Sequence, residues 1–168
     1  CLLQQKEYQK AKMNFLRISY SDSYFDEKNY YIAYCDYSLG DYTAAQQGFE
    51  RCKLTKYEEP ALYHLLQIHE QMGNSTEAVN VGRELIQKYP NNPNNTEAFR
   101  ILGESAYKNG NYQNAILYLT EYEKLTQKVQ REDMFILGVS YYKQNNYKSA
   151  IKYLSKATPS LKKISWTW

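Results

Sequence analysis

Apolar positions recur along this chain with the period of a helix. Met134, Leu137, Gly138 and Tyr141 are spaced i, i+3, i+4, i+7, and Ala150, Ile151, Leu154 and Ala157 fall at similar spacing. Such stripes belong to amphipathic α-helices rather than to strands. Between them Asn145-Asn146-Tyr147 reads as a turn. The pattern predicts two helices of about 13 residues, each roughly 20 Å long at 1.5 Å rise per residue. Carried along the chain, it predicts helices near 6–20, 26–39, 42–54, 59–72, 75–88, 96–109, 112–126, 130–144 and 147–158.

The helices repeat as pairs. Five segments carry Tyr, or a substitute, three residues before Ala: Tyr8/Ala11, Tyr42/Ala45, Ser75/Ala78, Tyr112/Ala115 and Tyr147/Ala150. The alanines are 34, 33, 37 and 35 residues apart, a spacing that marks a stacked repeat. Four residues after each Ala stands Phe15, Phe49, Gly82, Leu119 or Leu154. Three turns are nearly identical: Gly40-Asp41-Tyr42, Gly110-Asn111-Tyr112 and Asn145-Asn146-Tyr147. A Gly or Asn there ends the first helix, and Asp or Asn caps the second. Asn74-Ser-Thr-Glu77 has the spacing of a capping box. Seven residues before three of the turns lie Ala33, Gly103 and Gly138. Small residues there, facing Ala on the partner helix, let two backbones come close.

These residues carry a family resemblance. Gly103, Tyr107, Gly110-Asn111-Tyr112 and Ala115, then Leu137-Gly138, Tyr141, Tyr147, Ala150 and Ala157, resemble the tetratricopeptide repeat, and Tyr89-Pro90 matches its closing proline. Sel1-like and HEAT arrays fit less well in period and turn signature. The resemblance implies an all-α fold, a right-handed solenoid of stacked antiparallel helix pairs. It would form one array over residues 1–158, with a partial unit at 1–25 and units at about 26–58, 59–95, 96–130 and 131–158.

Composition narrows the function classes. With 21 Lys+Arg against 18 Asp+Glu the net charge is +3, too weak to imply nucleic acid or an anionic membrane. No apolar run approaches the roughly 20 residues of a membrane span. Cys1, Cys35 and Cys52 have no metal or disulfide spacing and read as small core residues. Cys1 occupies the register of Cys35; a lipid-anchored N-terminal Cys is the alternative. His64 and His69, five apart, sit on different helix faces, and no third ligand is in register. No catalytic constellation or cofactor motif is found. Asn74-Ser-Thr76 and Asn94-Asn-Thr96 match a glycosylation pattern that arises easily by chance. Cytoplasm and periplasm both stay open.

Two departures have physical readings. In the unit near 59–90, Gly82 replaces Phe or Leu while Leu66 stands where its neighbours have Ala or Gly. This reads as an exchange of size across one contact, Leu66 packing over Gly82. The connector from Tyr89 to Thr96 holds the extra residues of the 37-residue interval and should be a longer loop that lets the two halves bend. The tail, 159–168, breaks the pattern and holds Ile164, Trp166 and Trp168. It reads as an irregular linker or the start of a truncated next unit; alternatively its apolar residues cover the last repeat or dock into a neighbour. Both ends of such an array would expose apolar surface, allowing self-association.

The resemblance also implies where a partner would lie, since the first helix of each pair lines the concave face. The stripe there is Glu27, Tyr30, Tyr34, Tyr37, Tyr63, Gln67, Glu70, Glu97, Arg100, Glu104, Tyr107, Lys108, Phe135, Val139, Tyr142 and Lys143. Tyr suits peptide contact, having an apolar face, a hydroxyl and little entropy to lose, which accounts for part of the excess of 19 Tyr over 5 Phe. About half of the tyrosines, especially Tyr42, Tyr112 and Tyr147, should instead pack between repeats. Arg100, Lys108 and Lys143 could pair an acidic group, and Glu70, Glu97 and Glu104 a basic one. Chaperone-tail binders of the family use a Lys/Asn/Arg clamp. Tyr30, Tyr34 and Glu97 occupy positions of that clamp here, so the clamp is absent. The expected function is a non-catalytic protein-interaction scaffold with a peptide groove. The alternative is a docking or regulatory segment of a larger enzyme or envelope complex. Reading of single-stranded RNA would need a basic groove, which Glu70, Glu97 and Glu104 oppose.

Overall fold

A computed structural model describes residues 2–18 and 24–158 of the chain. Cys1 and the tail from Pro159, with the expectations placed on them, lie outside the described residues. Nine α-helices are found among the described residues: α1 (Tyr8–Leu16), α2 (Phe25–Leu39), α3 (Tyr42–Arg51), α4 (Glu58–Gln71), α5 (Ser75–Lys88), α6 (Asn95–Lys108), α7 (Tyr112–Leu125), α8 (Arg131–Lys143) and α9 (Tyr147–Ala157). They follow the hydrophobic stripes closely.

The turns behave as their residues require. Gly40 and Gly110 adopt φ of +83° and +73°, the left-handed conformation that ends α2 and α6. Asn145 takes the same role after α8 at φ +59°, as Asn tolerates best among non-glycine residues. The next residue caps the following helix. Side chains of Asp41, Asn111 and Asn146 accept from the amides of Ala44, Asn114 and Ser149, each at 3.1 Å. The capping box expected at Asn74 does not form. Asn74 holds the N-cap position, but its side chain makes no cap bond.

Contacts divide the chain into two compact units, residues 1–95 and 96–168. The division falls at the end of the connector before α6, where the extra residues of the repeat sit. In the first unit α2 packs on α3 and α4 on α5, with α1 on α2 and α3 on α4. Its core holds Phe49, Leu62, Leu65, Leu66, Ile68 and Leu85, all inaccessible to solvent. Burying each such side chain contributes about 1.5–3 kcal/mol. A Cβ placed on Gly48 would lie 2.6 Å from Ala33 Cβ and 3.3 Å from its Cα. The backbones of α2 and α3 thus nearly touch. Leu66 and Gly82 are both buried, as the size exchange requires. The connector is bonded to α4: Tyr89 donates to Glu58 Oε2 at 2.6 Å and Asn92 Nδ2 to Glu59 Oε1 at 2.7 Å.

In the second unit α8 packs on α7 and on α9. The core gathers Leu119, Tyr122, Val129, Leu137 and Tyr153, with Phe99, Met134, Ile136 and Tyr141 against it. Here each glycine notch receives a leucine. A Cβ on Gly103 would meet Leu119 Cγ at 2.5 Å, and one on Gly138 would meet Leu154 Cγ at 2.6 Å. Ile151, read as part of the α9 stripe, is instead 70% exposed.

Two helices end earlier than periodicity predicts. The stripe carries α3 to residue 54, but it stops at Arg51. Thr55 Oγ1 donates to the Cys52 carbonyl at 2.8 Å and accepts from Tyr57 N at 3.1 Å. A side chain thereby takes over a carbonyl at the end of the helix. Helix α1 runs only from Tyr8 to Leu16 rather than over 6–20.

Candidate functional site

On the first-of-pair helices of the first unit, an aromatic cluster forms around His64 of α4. The imidazole stacks on Phe49 at 4.9 Å and meets Tyr37, Tyr34, Tyr63 and Tyr30 at 5.2, 5.5, 5.6 and 6.2 Å. Tyr30 also stacks on Tyr57 at 4.9 Å. Tyr37 donates to Gln67 Oε1 at 3.2 Å, and Gln67 Nε2 donates to Tyr63 Oη at 3.0 Å. Five of the residues expected to form a groove, Tyr30, Tyr34, Tyr37, Tyr63 and Gln67, are therefore brought together, each half-buried. They pack on one another and still keep an open edge.

Burial sets the electrostatics of this cluster. It pushes the His64 pKa down to about 4, against a weaker upward pull from Gln67. His64 is accordingly a neutral ring at physiological pH. Nδ1 of His64 is buried with no hydrogen-bond partner. Tyr30 is pushed up to about 12, by burial first and then by the neighbouring phenols. None of these groups is poised for acid–base chemistry near pH 7. They form a semi-apolar face edged by hydroxyls. Glu27 is half-buried near Tyr57, and Glu70 is exposed.

The corresponding face of the second unit is ionic. Arg100 of α6 is held by both neighbours on its own helix. Its Nη2 lies 2.5 Å from Glu97 Oε1, its Nε 3.1 Å from Glu97 Oε2, and its Nη1 pairs with Glu104. Asp133 of α8 lies near this set. It is 2% exposed, and its Oδ2 has no hydrogen-bond partner. Burial and the Glu104 carboxylate push its pKa up to about 6, while Arg100 and the Tyr122 hydroxyl pull the other way. Tyr107, Lys108, Val139, Tyr142 and Lys143 are placed separately. Tyr107 and Val139 are half-buried, while Tyr142 and both lysines are exposed. Phe135, 50% exposed, lines a depression of about 540 Å³ with Arg131, Glu132, Ile136, Ala157 and Thr158.

A regularity missed in the sequence links the two kinds of tyrosine. Across three turns the last Tyr of the first helix touches the first Tyr of the second. The pairs are Tyr37–Tyr42 at 5.8 Å, Tyr107–Tyr112 at 6.0 Å and Tyr142–Tyr147 at 5.7 Å. Their constant separation of five residues was the available signal. His64 as a hub and Asp133 as a buried acid were also missed. Asp133 is marked by its place four residues before Leu137, on a core-facing stripe where a carboxylate is unusual. Cys35 and Cys52 are buried free thiols, as expected of core residues, and burial raises both. No cluster of His, Cys, Asp or Glu fit for a metal occurs among the described residues.

Comparison with known proteins agrees with this architecture. The family model for the tetratricopeptide repeat matches residues 65–128, and a second model of the same description matches 134–158, together more than half of the chain. No curated protein sequence matches. Among solved structures, MamA from Desulfovibrio magneticus RS-1 is 17% identical over 93% of this chain and 86% of its own, with a TM-score of 0.69. A structure of MamA AMB-1 is 15% identical over 93% of this chain and 84% of its own, with a TM-score of 0.72. YrrB, described as a TPR protein with an unusual peptide-binding site, is 18% identical over 93% and 79%, with a TM-score of 0.69. At these identities the likeness shows the fold: all-α, with the helix pairing of a tetratricopeptide-like solenoid.

Proposed function

The chain belongs to the tetratricopeptide-repeat family and is a scaffold for protein interaction; from that premise we propose that it holds a peptide or protein segment against its first-of-pair helices and performs no catalysis. The observation that carries this reading is the open-edged cluster of Tyr30, Tyr34, Tyr37, Tyr63 and Gln67, whose rings are pre-packed and in which Gln67 ties the hydroxyls of Tyr37 and Tyr63. A surface ordered before contact loses little entropy on binding. Tyr with few rotatable bonds is the side chain that supplies such anchors. In the second unit Arg100, Glu104, Tyr107, Lys108, Phe135, Val139 and Tyr142 supply the contacts, with the ionic set answering charge and the rings answering apolar side chains. We take residues 1–158 as one array on the strength of the repeat register, which runs through the connector. Partners are proteins, not nucleic acid. No helix among the described residues is long and apolar enough to cross a membrane. Exposed Phe135 and Ile151 offer a route to self-association.

The test is selection of a random peptide library on the intact chain, followed by amide exchange with an enriched peptide bound. Slowed exchange along α2, α4, α6 and α8 is expected. Enrichment with slowing confined to α3, α5, α7 and α9 contradicts the proposed face.

A further inference from the structure

The rings around His64 form a surface that discriminates by charge. The face of each phenol carries the negative side of its quadrupole, and His64 at their centre is neutral near pH 7. The helices that present these rings offer no cation of their own. Together α2 and α4 hold no Arg and a single Lys, Lys28, which is 4% exposed and donates to the Ile18 carbonyl at 2.7 Å. Three of their carboxylates are answered within the chain, Asp36 by Lys12, Glu58 by Lys88 and Glu59 by Asn92. Glu27 is not: it forms no hydrogen bond or ion pair with any described residue. It stands on the stripe of Tyr30 and Tyr34, and after burial it is the largest cause that raises the Tyr57 hydroxyl.

The second observation is a cation that the chain itself lays on this stack. Lys56 Nζ lies 5.2 Å from the ring centroid of Tyr57, and Tyr57 stacks on Tyr30 at 4.9 Å. An ammonium at that range is attracted by the ring quadrupole. Tyr34 and Tyr37, both half-buried, carry no such cation among the described residues. We infer that this cluster seats an Arg or Lys side chain of the partner segment at Tyr34, drawn by the ring faces and by the unpaired carboxylate of Glu27. The inference rests on the peptide-holding reading above and names the charge of the partner. Glu27 is seven residues from Tyr34, about 10 Å along the helix, a distance at which an exposed charge is still felt at moderate salt. An acidic segment would meet ring faces and Glu27, both repulsive, and no exposed cation on either helix. A neutral segment would gain apolar contact alone.

The experiment is calorimetry on the full chain near pH 7 with three end-blocked peptides: alternating Arg–Ala, the same peptide with citrulline (the uncharged isostere of arginine) in place of Arg, and alternating Glu–Ala. Arg–Ala should bind about tenfold more tightly than citrulline–Ala, with Glu–Ala weakest. Tyr34→Leu, which keeps apolar bulk and removes the ring, should cut that preference to about threefold. Glu27→Gln touches no packed contact; it should weaken Arg–Ala about threefold and leave citrulline–Ala within error. That second variant decides the matter even if Tyr34→Leu melts. Citrulline–Ala binding as tightly as Arg–Ala overturns the inference and leaves the peptide-holding reading standing, as does a preference for Glu–Ala. A preference for Arg–Ala that neither variant reduces places the cation elsewhere and overturns the inference too. If none of the three binds, the inference falls, and the peptide-holding reading falls with it only when the random library also yields nothing.

Discussion

The two units use the same helix pair for opposite surface chemistry. In residues 1–95 the first-of-pair helices meet through rings, with His64 kept neutral at the centre. In residues 96–168 α6 carries Arg100 between Glu97 and Glu104, with the buried acid Asp133 of α8 nearby. Their helix contacts differ as well. At Gly48 the first unit brings backbone against Ala33, whereas at Gly103 and Gly138 the second brings a leucine side chain into the notch. The stack needs small residues at fixed register and leaves the neighbouring stripe unconstrained. The chemistry of that stripe is therefore not dictated by the fold.

The severest way to break the second unit is Ala115→Trp, because Ala115 is wholly buried between helices. It should cost about 4 kcal/mol and abolish the cooperative helical melt, read by circular dichroism. Next in size is the pair of notches. Gly48→Ala must displace Ala33 backbone, and Gly103→Ala need only displace the end of Leu119. Expected losses in urea unfolding are about 3 and about 1.5 kcal/mol. Equal losses would mean that the two contacts do not differ in rigidity.

The response to acid should separate the units by sign. His64 has its pKa lowered from 6.5 to about 4, so its contribution is present above pH 6.5 and disappears as pH falls toward 4. Asp133 has its pKa raised from 3.8 to about 6, so its contribution is complete below 3.8 and disappears as pH rises through 6. Between those limits acidification loosens the first unit and tightens the second, by about 3 kcal/mol each at most. Amide exchange on α4 and α8 across this window reads the two trends. Asp133→Asn should remove the second trend only and should stabilise α8 above pH 6. Parallel trends in both helices would refute the assignment.

The smallest effects test the proposed binding face. Tyr34→Ala and Tyr107→Ala should each weaken an enriched peptide by about 1 kcal/mol while keeping helicity. Because Tyr34 also packs on His64 and Tyr8, its loss should lower the melting temperature more than loss of Tyr107, whose ring contact is Tyr112.

What was legible in the sequence follows from the same division of labour. Helix positions were readable because Gly40, Gly110 and Asn145 end helices by backbone conformation, and the alanines fix register. The burial of Leu66 and Gly82 was readable because both fall on the core-facing stripes of their helices. The overrun of α3 was not, since no breaker follows Arg51 and the stop comes from Thr55 folding back on Cys52. The candidate stripe was readable only as a set of positions. Which of its residues pack inward depended on partners thirty residues away, as with Tyr34 against the His64 of α4 and Tyr37 bonded to Gln67. Asp133 escaped because a charged residue near a helix start looks like an ordinary first-turn acid.

The leucine-filled notches of α6 and α8 limit how such a chain can be recombined. Gly103 is shaped for Leu119 and Gly138 for Leu154, whereas α4 presents Leu66 at that register. A crossover cut at a turn that spliced α4 onto α7 would force Leu66 against Leu119. One made in a connector would transplant an intact hairpin, so the interchangeable module of this protein is the pair of helices and never the single helix.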